Sequence, residues 1–196
     1  MANKLLPRQI ILFWCDIMII TDIKKLTQEC EDVVSVAEAL SIVDQLTAEL
    51  DKTTGIGLAA NQIGIHKKVF IISVPETILD DGKPCTYTIK MHFANPQIVK
   101  LEEPIYFSNE GCLSFPEERC NTVRFNKVII RDLLSAEGRE LHGLRAVVAQ
   151  HELDHVFGIT MHKRKQNAID SNDPCPCRSG KKFKKCCFKI IKKATF

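Results

Sequence analysis

Between residues 32 and 51, apolar side chains recur every three to four positions. Val33, Val36, Ala37, Leu40, Val43, Leu46 and Leu50 fall along one line, which predicts an amphipathic helix. Ser35, followed three residues later by Glu38, offers that helix a capping box. The period then changes. Residues 67–74, 86–93, 98–101 and 121–134 are β-rich runs parted by Pro, Gly and Asp/Asn, so the middle of the chain is predicted to be mostly antiparallel sheet. Helical spacing returns with Leu144, Val147, Val148, His151 and His155, bracketed by Gly143 and Gly158. Helix, strands and a second helix make an α+β order, with the second helix buried against the sheets.

The second helix carries chemistry. In Gln150-His151-Glu152-Leu153-Asp154-His155, two imidazoles four residues apart point the same way and can share one metal ion. Glu152 is then held beside whatever water the metal carries, where a carboxylate can move protons. The plain alternative is a solvated, charged helix end. A catalytic metal needs a third protein ligand and an open position. Glu110-Gly111-Cys112-Leu113-Ser114 offers one, because a thiolate is a strong ligand for a borderline-soft cation and glycine permits close backbone approach. A lone cysteine is otherwise a small buried hydrophobe. Gly55-Ile56-Gly57-Leu58-Ala59-Ala60-Asn61-Gln62 reads either as a tight turn between helix and strand or as a backbone wall along which a substrate chain can lie. It lacks the endings of phosphate-binding loops.

Taken together and in this order, the three segments resemble the peptide deformylase family, marked by G-x-G-L-A-A-x-Q, E-G-C-L-S and Q-H-E-x-D-H. The likeness runs from about Asp32 to His162. The resemblance implies a peptide-deformylase-like fold of antiparallel sheets around a central metal-bearing helix. It implies Cys112, His151 and His155 as metal ligands and Glu152 as the catalytic acid and base. It implies further that the Gln62 amide and the backbone N–H of Leu113 stabilise charge developing on a formyl oxygen. Ile56, Gly57 and Glu110 are expected to face the substrate, with Arg119 near the peptide backbone. The implied reaction is hydrolysis of the N-formyl group from the initiator methionine of a new polypeptide, releasing formate. Methionine needs an apolar pocket, for which Leu144, Val147 and Val148 are candidate walls; ordinary core packing explains the same three residues equally well. Cys-His-His suits Zn²⁺, the family resemblance implies Fe²⁺, Ni²⁺ and Co²⁺ are also open, and donor softness does not separate them.

At 196 residues, 45% apolar and 26% charged, the chain is long enough for one buried core and a small appendage. Nine cysteines, an odd number without an export signal, argue for metal ligation rather than a disulfide framework and for a cytoplasmic enzyme. The run from Ile10 to Ile20 is too short for a membrane span and is broken by Asp16. Residues 1–17 are read as an N-terminal extension or an artefact of start assignment. Met18-Ile19-Ile20-Thr21-Asp22 reads as a start feeding a strand.

The carboxyl end is expected to be a separate unit, residues 166–196, beyond a catalytic domain spanning 18–165. From Met161 onward, eleven Lys/Arg against Asp170 and Asp173 leave +9, so with +3 on the whole chain the first 160 residues carry −6. Such asymmetry suggests a partner for the tail. Within residues 173–187, Cys175, Cys177, Cys186 and Cys187 are spaced as C-x-C, eight residues, then C-C around a Ser-Gly turn. That spacing suits a small tetrahedral zinc site in a unit too short to hold itself together by apolar burial. The string resembles the SEC-C zinc motif, from which it departs at Arg178, where glycine is usual; the departure is expected to strain the first turn. The lysines suit ribosomal RNA phosphates, and a protein partner fits equally. Two other classes compete with the hydrolase reading: a metallopeptidase, whose third ligand is normally a downstream His, Glu or Asp, and a non-catalytic module in which only the tail functions.

Overall fold

A computed structural model describes residues 19–194, with side chains as far as Ile191. The proposed extension, residues 1–17, lies outside the described residues, as does Met18. Ile19–Asp22 form no strand: the Ile20 N–H donates to the Gln62 carbonyl at 2.7 Å, and the Asp22 carboxylate caps a single helical turn, α1 (Ile23–Leu26). The first long helix, α2 (Val36–Leu50), begins three residues after Val33, where its apolar period starts. Asn95 explains the delay, because its side-chain amide bonds both the N–H and the C=O of Val33 at 2.9 Å and ties that residue to a sheet end. Ser35 is the N-cap, its hydroxyl accepting the Glu38 N–H at 3.1 Å, while the Glu38 carboxylate reaches back to the Val34 N–H at 2.7 Å. The buried line of α2 is Ala39, Ile42, Leu46 and Leu50, so the predicted stripe is turned and Val36 and Leu40 face outward.

Two three-stranded antiparallel sheets follow, of orders β1-β2-β3 and β4-β5-β6. The first comprises β1 (Gly57–Ala59), β2 (Val69–Asp80) and β3 (Lys83–Ala94); the second comprises β4 (Gln97–Cys112), β5 (Phe115–Asp132) and β6 (Ser135–His142). Most are longer than their sequence patterns, and β6 has no clear one. Asp81 and Gly82 make a two-residue turn with φ of 47° and 74°, the backbone that lets β2 and β3 pair from Val69↔Ala94 out to Asp80↔Lys83. Register shifts interrupt β4 between Phe107 and Cys112, the stretch that delivers two side chains to the site.

The central helix, α3 (Gly143–Val156), packs against β1, β2 and β5. It is buried continuously from Ala146 to Val156 because both sheets cover it, so its sequence shows little amphipathic contrast. Val148, Ala149, Leu153 and Val156 join Phe70, Phe93, Val128, Ile130 and Leu141 in the main core. Helix, antiparallel sheets and a buried second helix bear out the α+β reading.

The tail packs on the second sheet. Phe183, Cys187 and Ile191, the last two on α4 (Cys187–Ala194), pack with Val123 and Phe125 of β5, and Leu101 and Tyr106 of β4 join them. Apolar burial on the sheet, which fifteen residues lack by themselves, anchors the segment.

Candidate active site

Strand alternation places Glu110 and Cys112 on one face of β4, and both are buried. Helical spacing places His151 and His155 on one face of α3. Cys112 Sγ lies 3.2 Å from His155 Nε2, and the ligand atoms of Cys112, His151 and His155 all lie within 4.8 Å of one another. One thiol and two imidazoles at that separation fit a single divalent ion.

His151 is oriented from behind. Its Nδ1 is 2.7 Å from Glu110 Oε1, which leaves the other ring nitrogen for the thiol side. Glu110 borders the cleft, but both of its carboxylate oxygens are taken by protein groups. Besides His151, it accepts from Thr122 Oγ1 at 2.6 Å and from Arg124 Nε and Nη2 at 2.8 and 2.5 Å. Arg124 is buried, and its remaining arm reaches Asp154 at 2.6 Å. Asp154 in turn holds Arg164 at 2.6 and 2.9 Å. Burial pushes the Glu110 carboxyl up, but Arg124 and His151 outweigh it and hold it well below the usual carboxylate range. Burial opposes charging of His151, yet its hydrogen bonds to Cys112 and Glu110 raise its pKa well above the ordinary value. Burial and the neighbouring His151 lower that of His155.

Glu152 sits beside this set, buried, with Oε2 lacking a hydrogen-bond partner among the described residues. Burial, helped by the charge of Glu110, pushes its carboxyl up to about 7. An unpartnered buried carboxylate near neutral pKa can accept and return a proton. Gln62 accepts the Ala59 N–H at 2.8 Å, which aims its amide nitrogen toward Ser114 Oγ at 3.1 Å and Cys112 Sγ at 3.7 Å.

A cleft of about 440 Å³ opens over these groups. Ile56, Gly57, Gln62, Glu110, Cys112, Leu113, Arg119, Leu144, Val147, Val148, His151 and Glu152 all border it, whereas His155 is buried and does not line it. Val147 and Val148 are buried and Leu144 is 40% exposed at the rim. Arg119 is exposed, with its Nη1 donating to the Pro116 and Glu118 carbonyls at 2.9 and 2.7 Å, and its guanidinium covers Gly111. Phe107 and Asn109 also line the cleft and carry no sequence signal beyond their strand.

Two further motif residues, Gln150 and Asn61, hold the scaffold. Gln150 bonds the Phe125 N–H at 3.0 Å and C=O at 2.7 Å, joining α3 to β5 as a strand neighbour would. Asn61 donates to the His155 carbonyl at 2.8 Å, holding the last turn of α3. Arg124 was hidden in a strand run, and its one signal is a cation between Val123 and Phe125 that burial would oblige to pair with the helix aspartate.

Residues 16–170 match the family model described as polypeptide deformylase. The chain belongs to the polypeptide deformylase family. It is 37% identical over 131 residues to the peptide deformylase of Brachyspira hyodysenteriae, covering 65% of this chain and 67% of that one. The crystal structure of the Ehrlichia chaffeensis peptide deformylase superposes with a TM-score of 0.64 at 31% identity, covering 76% of this chain and 87% of that one. A Met-Ala-Ser-bound class I type b peptide deformylase from Acinetobacter baumannii superposes with a TM-score of 0.59 at 26% identity, covering 74% and 96%. As a deformylase, the protein is a metal-dependent hydrolase that removes the N-formyl group from newly made polypeptides.

Residues 172–189 match the SEC-C motif. There the sulfurs of Cys175, Cys177, Cys186 and Cys187 lie within 4.8 Å of one another, a donor set that fits one tetrahedral soft ion. Arg178, in the glycine position, adopts φ of 62°, the left-handed backbone expected to strain it. No helix among the described residues is long and apolar enough to cross a membrane.

Proposed function

We propose that Cys112, His151 and His155 hold the divalent ion of this deformylase and that Glu152 carries the proton of the reaction. The observation that supports this most is the meeting of a strand thiol and two helix imidazoles beside a buried carboxylate with a free oxygen. Bound there, a divalent cation supplies Lewis acidity and acidifies a water molecule. Glu152 Oε2 takes the proton of the attacking water and returns it to the leaving amide nitrogen. The Gln62 amide N–H, already directed at the metal side of the cleft, and the Leu113 backbone N–H receive the charge that develops on the formyl oxygen. Glu110 and Arg124 fix the tautomer and direction of His151.

The substrate is a peptide beginning with formylmethionine. Its methionine side chain lies against Leu144, Val147 and Val148, its backbone runs along Ile56 and Gly57, and Arg119 meets the following residues. The relative with bound Met-Ala-Ser supports that choice of ligand. The ion is Fe²⁺, favoured by family resemblance, with Zn²⁺, Ni²⁺ and Co²⁺ accepted by the same donors. The tail takes a structural Zn²⁺. Lys181, Lys182, Lys184, Lys185 and Lys189 are exposed on it, a charge density suited to ribosomal RNA backbone in the cytoplasm, where new chains emerge.

Anaerobically purified protein should release formate from formyl-Met-Ala-Ser and leave unformylated peptide intact; internal cleavage would identify a peptidase, and silence with bound metal a binding module. Reversing four tail lysines to glutamate should weaken salt-sensitive co-sedimentation with ribosomes and spare hydrolysis. Undiminished co-sedimentation would point instead to a protein partner. Charge reversal is cleaner than deleting residues 171–196, which would uncover Val123 and Phe125.

A further inference from the structure

Arg124 joins the two metal-binding clusters. Its side chain faces inward with Thr122, where it secures Glu110 and through it His151. The residues on either side, Val123 and Phe125, face the opposite way and are covered by Phe183, Cys187 and Ile191 of the tail. Phe125 is also the residue whose backbone Gln150 grips from the central helix. A second contact lies at the first cysteine pair. Pro176 and Arg178 border a cavity of about 20 Å³ together with Arg124, Asp154 and Arg164, room for a single water. The tail therefore flanks the buried Arg124–Asp154 pair that orients a catalytic ligand, while Arg164, the outer member of the charge chain, stays partly exposed. Cys175 and Cys187 are themselves buried among the apolar residues of that interface, so the four thiols and the packing form one unit.

We propose that the cysteine tail is a metal-set brace for the catalytic ion: filling the Cys175, Cys177, Cys186 and Cys187 site clamps Phe183 and Ile191 onto Val123 and Phe125 of β5, steadies Arg124 between them, and so slows loss of the ion held by His151. Emptying the tail loosens that grip without touching a ligand. Arg124 is a positioning residue in this scheme, acting through Glu110. The proposal rests on the ligand sets given above.

The test uses the full chain with Co²⁺ at the Cys112–His151–His155 site, followed by its visible absorption while a chelator removes it, at a temperature where circular dichroism shows complete folding. Cys177→Ser combined with Cys186→Ser empties the tail. Phe183→Ala keeps all four thiols and removes the main packing anchor, so it carries the test if the cysteine pair does not fold. Each should speed Co²⁺ release about tenfold or more, the range for losing an outer partner of a metal ligand. Arg124→Lys, which cannot reproduce the forked pairing, should speed release comparably, and adding the tail variant to it should change little, because both act through one link. An unchanged release rate from the folded tail variants, or full additivity with Arg124→Lys, overturns the brace. A wild-type chain that holds no ion at the catalytic cluster overturns the ligand assignment and the brace together, a result distinct from unaltered release.

Discussion

The Glu152 carboxylate stands where a side chain on residue 57 would begin: a Cβ there would lie 2.4 Å from Glu152 Oε1 and 2.8 Å from Val148 Cγ1. Gly57 is thus required by space rather than by backbone angle. Glu152 is buried, so it cannot swing into solvent to make room. Gly57→Ala should displace the carboxylate and lower kcat about 100-fold, the scale of an ångström-level misplacement. Metal content should stay at the wild-type level. Formate release alongside elemental analysis checks both, and unchanged kcat would mean the carboxylate is free to move.

Glu152 stands outside the proposed ligand set of Cys112, His151 and His155. Glu152→Gln keeps the size and removes the proton acceptor, so bound metal should remain near wild type while turnover falls at least 100-fold to 10,000-fold, roughly the share of general acid–base catalysis. Loss of metal with turnover, in equal measure, would assign Glu152 to coordination instead.

Arg178 tests the tail. Its φ of 62° costs an L-residue about 1–2 kcal/mol relative to glycine. Arg178→Gly and Arg178→Ala both remove the side chain, but only glycine relieves the backbone. The glycine variant should therefore be the more stable of the two by about 1 kcal/mol in denaturant unfolding. Equal stabilities would show that the turn relaxes without penalty.

Much of this organisation was legible in the residues. The helix that carries His151 and His155 follows from their spacing and that of Leu144, Val147 and Val148, and the α2 cap follows from Ser35 and Glu38. Strand lengths were not legible. β4 runs on through Pro104, which keeps its register opposite Phe125, and through Gly111, which a register shift between Glu110 and Cys112 absorbs without breaking the pairing. The stripe on α2 was misplaced for a related reason: Asn95, distant in sequence, fixes Val33 and delays the helix. In the site, His151, Glu152 and His155 belong to one short local pattern and Cys112 to another, whereas Arg124 belongs to neither. It gains meaning only when β4, β5 and α3 meet, since its partners Glu110 and Asp154 lie 14 and 30 residues away. The charge of the tail is legible in the sequence, whereas the packing of Phe183 and Ile191 on Val123 and Phe125 is not, because those partners lie far off along the chain.

Replacing one sulfur probes the catalytic cluster most directly. Wild type and Cys112→Ala, purified without oxygen, are compared for metal stoichiometry and for formate released from formyl-Met-Ala-Ser. The variant should lose one metal equivalent per chain, keep the ion of the tail, and fall to background hydrolysis. A Cys112→Ala protein with full metal content and undiminished formate release would contradict a hydrolytic centre built on that thiol.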